Sequence, residues 1–230
     1  MRFYSLFVIV FFGFNTNAQE IKIDTLIWMN KNLDVETFRN GDKIPEAKSL
    51  ADWEKFSLSG KPCYSYYNVD PANGKTHGKI YNGYAVLDPW GLAPKGWHIA
   101  TENEWLSLTK LNVKNLSSII YFATITDADS WGYDRENTNQ LQFNATPAGV
   151  IQFEDGRGYK FSGLTEYTAW WTQSKGVSPN TIKSMSLDPK YYVPFEITED
   201  KLELGRSVRC VKDWRYLTIG IINYHNEQKK

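Results

Sequence analysis

The chain has 230 residues, of which 15% are aromatic and 23% charged, and its 26 basic and 26 acidic side chains give a formal net charge of zero at pH 7. This balance gives no electrostatic reason to expect nucleic acid or an anionic membrane surface as a partner. Nine Trp and fourteen Tyr residues can contribute large buried areas, so the composition favours a single domain with a sizeable core.

The first eighteen residues have the pattern of a secretory signal peptide. Arg2 precedes an apolar run from Leu6 to Phe14 that is too short to cross a bilayer. Thr16 and Ala18 are small residues at the positions that a signal peptidase requires for cleavage after Ala18. We therefore expect an exported protein, periplasmic, cell-surface or extracellular, whose mature chain begins at Gln19 and has no membrane span. An ordinary buried strand or helix is the alternative interpretation.

The next segments alternate between strand and turn signals. Apolar and polar residues alternate from Glu20 to Leu33, which predicts half-buried strands. Asn40-Gly41 then predicts a turn. Ser49 followed by Asp52 predicts the start of a short capped helix that ends before Gly60.

The middle of the chain carries its clearest helix signal. Aromatic runs between residues 62 and 86 predict two strands, and the polar stretch between them, which holds Asn73-Gly74, predicts an exposed loop. Thr101 and Glu104 have the spacing of a capping box, in which each side chain bonds the backbone amide of the other residue. Between Thr124 and Gly163 the polar composition predicts a long loop region with short strand pieces. Residues 207–211 predict a late strand.

The two cysteines, Cys63 and Cys210, would reach an oxidising compartment if the protein is exported. One disulfide is therefore expected, and closing so long a loop would stabilise the fold by about 4 to 5 kcal/mol in the chain-entropy model. Two separate buried thiols are the alternative.

Three stretches carry a family resemblance: residues 28–47, 81–108 and 205–213. They resemble the Fibrobacter succinogenes major paralogous domain, a family of exported bacterial proteins, over a domain assigned to residues 19–213 and followed by a C-terminal strand and tail, 214–230. The same stretches are similar, more distantly, to the C-type-lectin-like fold of formylglycine-generating enzymes. The resemblance implies an α+β domain with two helices packed on short twisted antiparallel strands, long loops, and a structural role for Cys210.

Aromatic and polar residues in the long loop region form the predicted ligand-binding surface. Their flat apolar rings and hydrogen-bonding groups suit a carbohydrate or peptide in a shallow site. Trp170 and Trp171 are adjacent in a predicted strand, so one should be buried and the other exposed. For Trp131 and Tyr133, packing of the loop onto the body is the alternative. The predicted ligand-binding residues are Trp131, Tyr133, Asp134, Arg135 and Trp171.

One loop is a weak candidate for a calcium site. Asp127, Asp129 and Asp134 are close in sequence, and Ca²⁺ prefers such oxygen ligands. The segment lacks the spacing of an EF-hand loop, and no other cofactor is indicated.

The sequence provides no recognisable catalytic set. Formylglycine-generating enzymes use a pair of nearby cysteines, and this chain offers no second cysteine close to Cys210. His98, between Trp97 and Ile99, is better explained as a hydrogen-bonded core or turn residue than as a general base.

The sequence therefore favours an exported, non-catalytic binding module whose ligand is a glycan or a cell-envelope protein. An enzyme of unknown type on a formylglycine-generating-enzyme-like fold is one alternative. A structural component of an envelope assembly is another.

Overall fold

The computed structural model describes residues 20–110, 123–127, 129–132, 138–190 and 195–213. The predicted signal peptide and the C-terminal strand and tail lie outside the described residues. Within the described part of the chain, the strands are β1 (Glu20–Ile23), β2 (Leu26–Met29), β3 (Tyr64–Ser65), β4 (Ile80–Asn82), β5 (Trp97–Ile99), β6 (Ala148–Glu154), β7 (Gly158–Leu164), β8 (Thr168–Lys175), β9 (Thr181–Leu187), β10 (Phe195–Lys201), β11 (Gly205–Val208) and β12 (Cys210–Lys212). The helices are α1 (Leu50–Leu58), a 3-10 turn (Tyr67–Val69), α2 (Pro71–His77), α3 (Gly83–Leu87) and α4 (Glu102–Lys110), and residues 123–125 also have helical backbone.

The predicted α+β architecture, a C-type-lectin-like domain with two helices on short strands, is wrong. The described chain is mostly β, with one sheet in the order β1-β2-β12-β5 and a larger one in the order β10-β9-β8-β6-β11-β4-β3, in which β7 also pairs with β6. Part of the region predicted as a long loop forms β6 and most of β7, whereas most of its described residues before β6 have no regular secondary structure. A sheet needs only one apolar face, so its polar residues do not distinguish it from a loop by composition.

The last described segment joins the two sheets. β11 pairs antiparallel with β4 and parallel with β8 in the large sheet, whereas β12 pairs with β2 and β5 in the small one. Arg209 is the single residue between them. The chain therefore passes from one sheet to the other at this position, and the Arg209 side chain lies fully buried there.

An aromatic cluster fills the space beside this crossing. The Trp105 and Trp170 rings stack with centroids 4.9 Å apart, and Trp28 and Phe143 meet at 5.5 Å in an edge-to-face arrangement. All four side chains are fully buried. Such pairs add about 0.5–1.5 kcal/mol each beyond their buried area, so the cluster is a major source of stability.

Both predicted helix starts are confirmed. The Thr101 amide donates to Glu104 Oε2 at 2.8 Å, and the Glu104 amide donates to Thr101 Oγ1 at 3.3 Å, which completes the capping box. At α1 the Ser49 hydroxyl accepts from the Asp52 amide at 3.0 Å. These bonds depend on residues three apart, so a short sequence window contains the information that specifies them.

The exposed loop predicted around Asn73-Gly74 is helical. Asp70 caps α2 by accepting from the Ala72 amide at 2.9 Å, and Pro71 occupies the first turn, where its missing amide hydrogen costs nothing. The helix ends at Gly78, whose φ is +73°. The Asn-Gly turn signal was outweighed by this N-terminal cap and the C-terminal glycine.

The predicted disulfide is absent, because Cys63 and Cys210 are both free and buried. Cys63 packs in a cluster with Trp53 next to α1, whereas Cys210 belongs to β12 and a different cluster. Burial raises the pKa of each thiol to about 12. Each cysteine is thus packed as a small apolar side chain in its own part of the core.

No helix in the described part of the chain is long and apolar enough to cross a bilayer.

A charged cluster beside α4 predicts a pH-dependent stability. His98 Nε2 lies 2.9 Å from Glu104 Oε1, and His98 Nδ1 lies 2.8 Å from Asp213 Oδ1. The hydrogen bond to Glu104 raises the pKa of His98 above 6.5 despite burial. Burial raises the pKa of Glu104, but hydrogen bonds from His98 and Thr101 outweigh it and leave the pKa below 4.5.

The stabilisation that this cluster provides is lost both at high and at low pH. The His98 contribution is complete below pH 6.5 and is lost as the pH rises through the raised pKa, whereas the Glu104 contribution is present above pH 4.5 and is lost as the pH falls through the lowered pKa. Between pH 4.5 and 6.5, where both contributions are present, we expect His98→Gln to destabilise the fold by about 1–2 kcal/mol. At lower and at higher pH the destabilisation should be smaller. Urea unfolding of both proteins from pH 3 to 9 measures the difference, and parallel profiles would contradict the expectation.

Candidate functional site

The two tryptophans predicted to bind ligand are core residues in the structure. Trp131 is 7% exposed and donates its Nε1 hydrogen to the Ala145 carbonyl at 2.8 Å, and Trp171 is fully buried and donates to the Tyr81 carbonyl at 2.8 Å. Neither ring faces solvent, so the predicted aromatic platform is corrected at these two positions. The other predicted ligand-binding residues, Tyr133, Asp134 and Arg135, lie outside the described residues.

The expectation that one residue of the Trp170–Trp171 pair is exposed is also wrong. The two side chains do point to opposite faces of β8, and they belong to different core clusters. Both faces of β8 are covered at this point, so both rings are fully buried.

The calcium candidate is only partly described. The Asp127 carboxylate accepts from the Ser130 hydroxyl, Asp129 is exposed, and Asp134 lies outside the described residues. In the ranges that the structure describes, no group of three His, Cys, Asp or Glu side chains is arranged to hold a metal ion.

A polar cleft of about 230 Å³ lies beside Asp127, between two walls that are formed by different segments of the chain. The first wall follows β2 and includes the end of α2. The second wall is formed by the segments around residues 127 and 144–146. The residues that line the cleft are Asn30, Lys31, Asn32, Lys75, Thr76, Asp127, Asn144 and Thr146.

The first wall is held together by contacts between the β2 end and the α2 end. Asn32 Nδ2 donates to the His77 carbonyl at 2.9 Å, and the Lys79 amide donates to the Leu33 carbonyl at 3.1 Å. A side chain at Gly78 would place its Cβ 2.9 Å from the Cβ of Asn32. The close approach that shapes this wall therefore requires glycine at position 78.

The second wall is fixed by backbone hydrogen bonds. The Asp127 amide donates to the Ala145 carbonyl at 3.2 Å, and the Ala145 amide donates to the Ile125 carbonyl at 2.9 Å. The backbone amide of Asn144, next to Ala145, donates to Asn139 Oδ1 at 3.0 Å. This bond orients the backbone that presents Asn144 and Thr146.

Arg209 lies beneath the cleft and joins both walls. Its guanidinium donates to Asn32 Oδ1 from Nη2 at 2.9 Å and from Nε at 3.2 Å, and Nη2 also donates to the Asn144 carbonyl at 3.3 Å. Nη1 donates to the carbonyls of Met29 at 3.0 Å and Phe143 at 2.7 Å. Five N–H groups thus have five acceptor contacts, and the floor of the cleft is rigid.

Asn32 is held from below by a second donor as well. Trp170 Nε1 donates to Asn32 Oδ1 at 2.8 Å. The Asn32 amide, which lines the cleft, therefore has a fixed orientation before any ligand arrives.

Two buried polar atoms at or behind the cleft have no hydrogen-bond partner among the described residues. Thr146 is buried and lines the cleft, and its Oγ1 makes no hydrogen bond. His77, behind the first wall, is buried and its Nδ1 is also unpaired. Burial lowers the pKa of His77 more than nearby Asp127 raises it, so the ring is neutral at pH 7. Buried polar groups are usually bonded, so unpaired ones in a cleft indicate a missing partner.

A second depression, of about 220 Å³, lies on the large sheet. Its polar groups already bond one another. The Ser184 hydroxyl donates to Asp200 Oδ2 at 2.7 Å and lies 2.9 Å from Thr198 Oγ1, and Arg206 Nε donates to Asp200 Oδ2 at 3.0 Å. Among the described residues, no side-chain polar atom that lines this depression is buried and unpaired, whereas Thr146 Oγ1 in the two-walled cleft is, so the cleft is the better candidate site.

Sequence reasoning identified only Asp127 among the residues of this cleft. Asn30 and Asn32 were read as part of a half-buried strand, although both are buried polar residues in the structure. The sequence did contain a signal, which is a pair of asparagines at alternate positions immediately after an apolar strand. A buried amide needs a specific partner, so such a pair indicates a polar site.

A model of the Fibrobacter succinogenes major domain matches residues 21–212. No curated protein and no solved structure gives a significant match to the chain.

Proposed function

The chain belongs to the Fibrobacter succinogenes major domain family, and from that premise we propose that it is an exported, non-catalytic binding module that holds a glycan in the two-walled cleft. The unpaired Thr146 hydroxyl in this amide-lined cleft is the observation that carries the proposal. The proposed export rests on the signal-peptide pattern of residues 1–18.

The chemistry of the cleft suits a polyhydroxylated ligand. Each sugar hydroxyl both donates and accepts a hydrogen bond. The amide oxygens of Asn32 and Asn144 already accept from protein donors, so these two side chains offer N–H donors through Nδ2. A carboxylate such as Asp127 accepts, and the Thr146 hydroxyl does either. A fixed array of mixed donors and acceptors therefore matches neighbouring hydroxyls on a sugar ring.

The rigid floor supports binding rather than a moving catalytic step. Arg209 and Trp170 hold Asn32 in place from below. Groups that are already oriented lose little conformational entropy when a ligand binds. Both ring nitrogens of His98 contact carboxylates, so this histidine has no free nitrogen with which to act as a base.

Replacing Thr146 with valine tests the proposal directly. Valine has nearly the same shape but cannot form a hydrogen bond, and within the described part of the chain the hydroxyl has no partner to lose. We therefore expect unchanged or slightly increased stability, with glycan affinity reduced about three- to tenfold, the value of one neutral hydrogen bond. A glycan array identifies the ligand, and isothermal titration calorimetry with the identified glycan measures the affinity.

Thr168→Val is the matched control. Thr168 is also buried, its Oγ1 is also unpaired, and it does not line the cleft. We expect its affinity to equal that of the wild type. If Thr146→Val binds as tightly as Thr168→Val, or if no glycan on the array binds, the cleft is not a glycan site; capture of a cell-envelope protein in a pull-down would then identify the other ligand class.

A further inference from the structure

The first wall of the cleft carries two ammonium groups that are unpaired. Lys31 and Lys75 both line the cleft, both are exposed, and neither makes an ion pair within the described ranges. They come from different segments, the β2 end and the last turn of α2, which the Asn32–His77 hydrogen bond holds together. Two cations are therefore presented on one side of the cleft.

A third positive charge lies beneath the floor. The Arg209 guanidinium is fully buried, and its hydrogen-bond acceptors are carbonyl and amide oxygens rather than carboxylates. Burial lowers its pKa to about 9, so it remains charged at pH 7. A charge in a low-dielectric interior acts over a longer distance than one in water, so its field extends into the cleft.

The negative charge at the cleft is smaller and lies on the opposite wall. Asp127 is the one carboxylate among the described residues that line it, and its oxygens accept from the Ser130 hydroxyl. His77 is neutral because its burial lowers its pKa. The local balance is three cations against one carboxylate, although the whole chain has a formal net charge of zero.

We infer that the ligand is an acidic glycan, which places a carboxylate against Lys31 and Lys75 and its hydroxyls against the wall formed by Asp127, Asn144 and Thr146. This inference rests on the proposed function and specifies its ligand class. A neutral glycan would leave both ammonium groups of the first wall unpaired. A free inorganic anion would leave the hydroxyl-binding wall empty.

The test is a glycan array on which oligosaccharides of uronic acids are printed beside their carboxyl-reduced counterparts. Each pair has the same sugar stereochemistry and differs in charge. We expect the purified protein to bind acidic members up to about tenfold more tightly than their neutral counterparts at low salt. The preference should shrink when the salt concentration is raised from 50 to 500 mM, because salt screens exposed charges.

The double variant Lys31→Gln/Lys75→Gln tests the origin of the preference. Two exposed ion contacts are worth up to about tenfold together, so the acidic and neutral members should bind this variant about equally. Lys48→Gln/Lys95→Gln is the matched control, since it removes the same charge from two exposed lysines that do not line the cleft. The control variant should retain the full preference.

The outcomes separate the inference from the proposed function. Equal binding of acidic and neutral members by the wild type would overturn the acidic ligand while leaving the cleft as a glycan site. Full preference in Lys31→Gln/Lys75→Gln, or loss of preference in both double variants, would overturn the placement of the carboxylate against Lys31 and Lys75. Absence of any glycan binding would overturn both.

Discussion

Replacing Arg209 with methionine is expected to lower the free energy of unfolding by about 3 to 5 kcal/mol. The variant removes all five donor contacts to Asn32, Met29, Phe143 and Asn144, and Asn32 Oδ1 keeps only the bond from Trp170. A buried acceptor that loses its donor costs about 1–3 kcal/mol. Water that reaches some of the freed oxygens, together with local relaxation of the structure, keeps the total loss of stability below the sum of the separate costs.

Replacing a buried charge by an apolar residue can also be neutral or stabilising, when its partners are replaced with it. That exception does not apply to Arg209. Three of its acceptors are backbone carbonyls, which no side-chain substitution removes. The desolvation that methionine relieves is therefore smaller than the loss of these hydrogen bonds.

Urea unfolding of Arg209→Met measures the effect, with Arg157→Met as the control. The Arg157 side chain is 78% exposed and pairs only with Glu154 at the surface, so its loss should cost well under about 1 kcal/mol. Arg209→Lys keeps the charge but offers at most three donors, and should be intermediate. A loss below about 1 kcal/mol for Arg209→Met would show that Arg209 does not hold the two walls together.

Trp171→Ala is the second substitution with a large expected effect, a destabilisation of about 3 to 5 kcal/mol. The side chain is fully buried in the cluster that contains Tyr81 and Val208, and its Nε1 donates to the Tyr81 carbonyl. Alanine would leave a cavity at the centre of β8 and an unpaired carbonyl. Trp90→Ala is the control, because Trp90 is 57% exposed and should cost less than about 1 kcal/mol.

Trp171→Phe separates a core role from a binding role. Phenylalanine retains an apolar ring but loses the hydrogen bond to Tyr81, so we expect a loss of about 1–2 kcal/mol and an unchanged glycan affinity. If Trp171→Phe instead lost affinity while keeping wild-type stability, Trp171 would be a ligand contact, as the sequence had suggested. Calorimetric unfolding and titration of the same preparation provide both values.

The helix starts illustrate what could be predicted from the sequence. The Thr101–Glu104 capping box and the Ser49 cap depend on side chains that reach backbone amides three residues away. The family assignment was also available, since it depends on the order of residues along the chain. The β-sheet content was underestimated, because part of the polar region from Thr124 to Gly163 was interpreted as a loop but forms β6 and most of β7, and β9 and β10 received no strand prediction.

The candidate site could be predicted only in part. Asp127 was identified as a polar loop residue, but its neighbours in the cleft come from segments that are distant in sequence. Asn32 and Arg209 are separated by 177 positions and meet through three atoms. A short stretch of sequence cannot indicate that two residues so far apart are in contact.

The sequence by itself determined the helix caps at Ser49 and Thr101, the charge balance and the family, because each of these depends on neighbouring residues or on composition. Only the tertiary structure decided which polar residues are buried, which tryptophans are exposed and whether the cysteines meet. Those outcomes depend on how two sheets pack and on which loops then lie side by side. Arg209 shows the reason most directly, since it becomes the floor of a cleft only because β11 and β12 belong to different sheets.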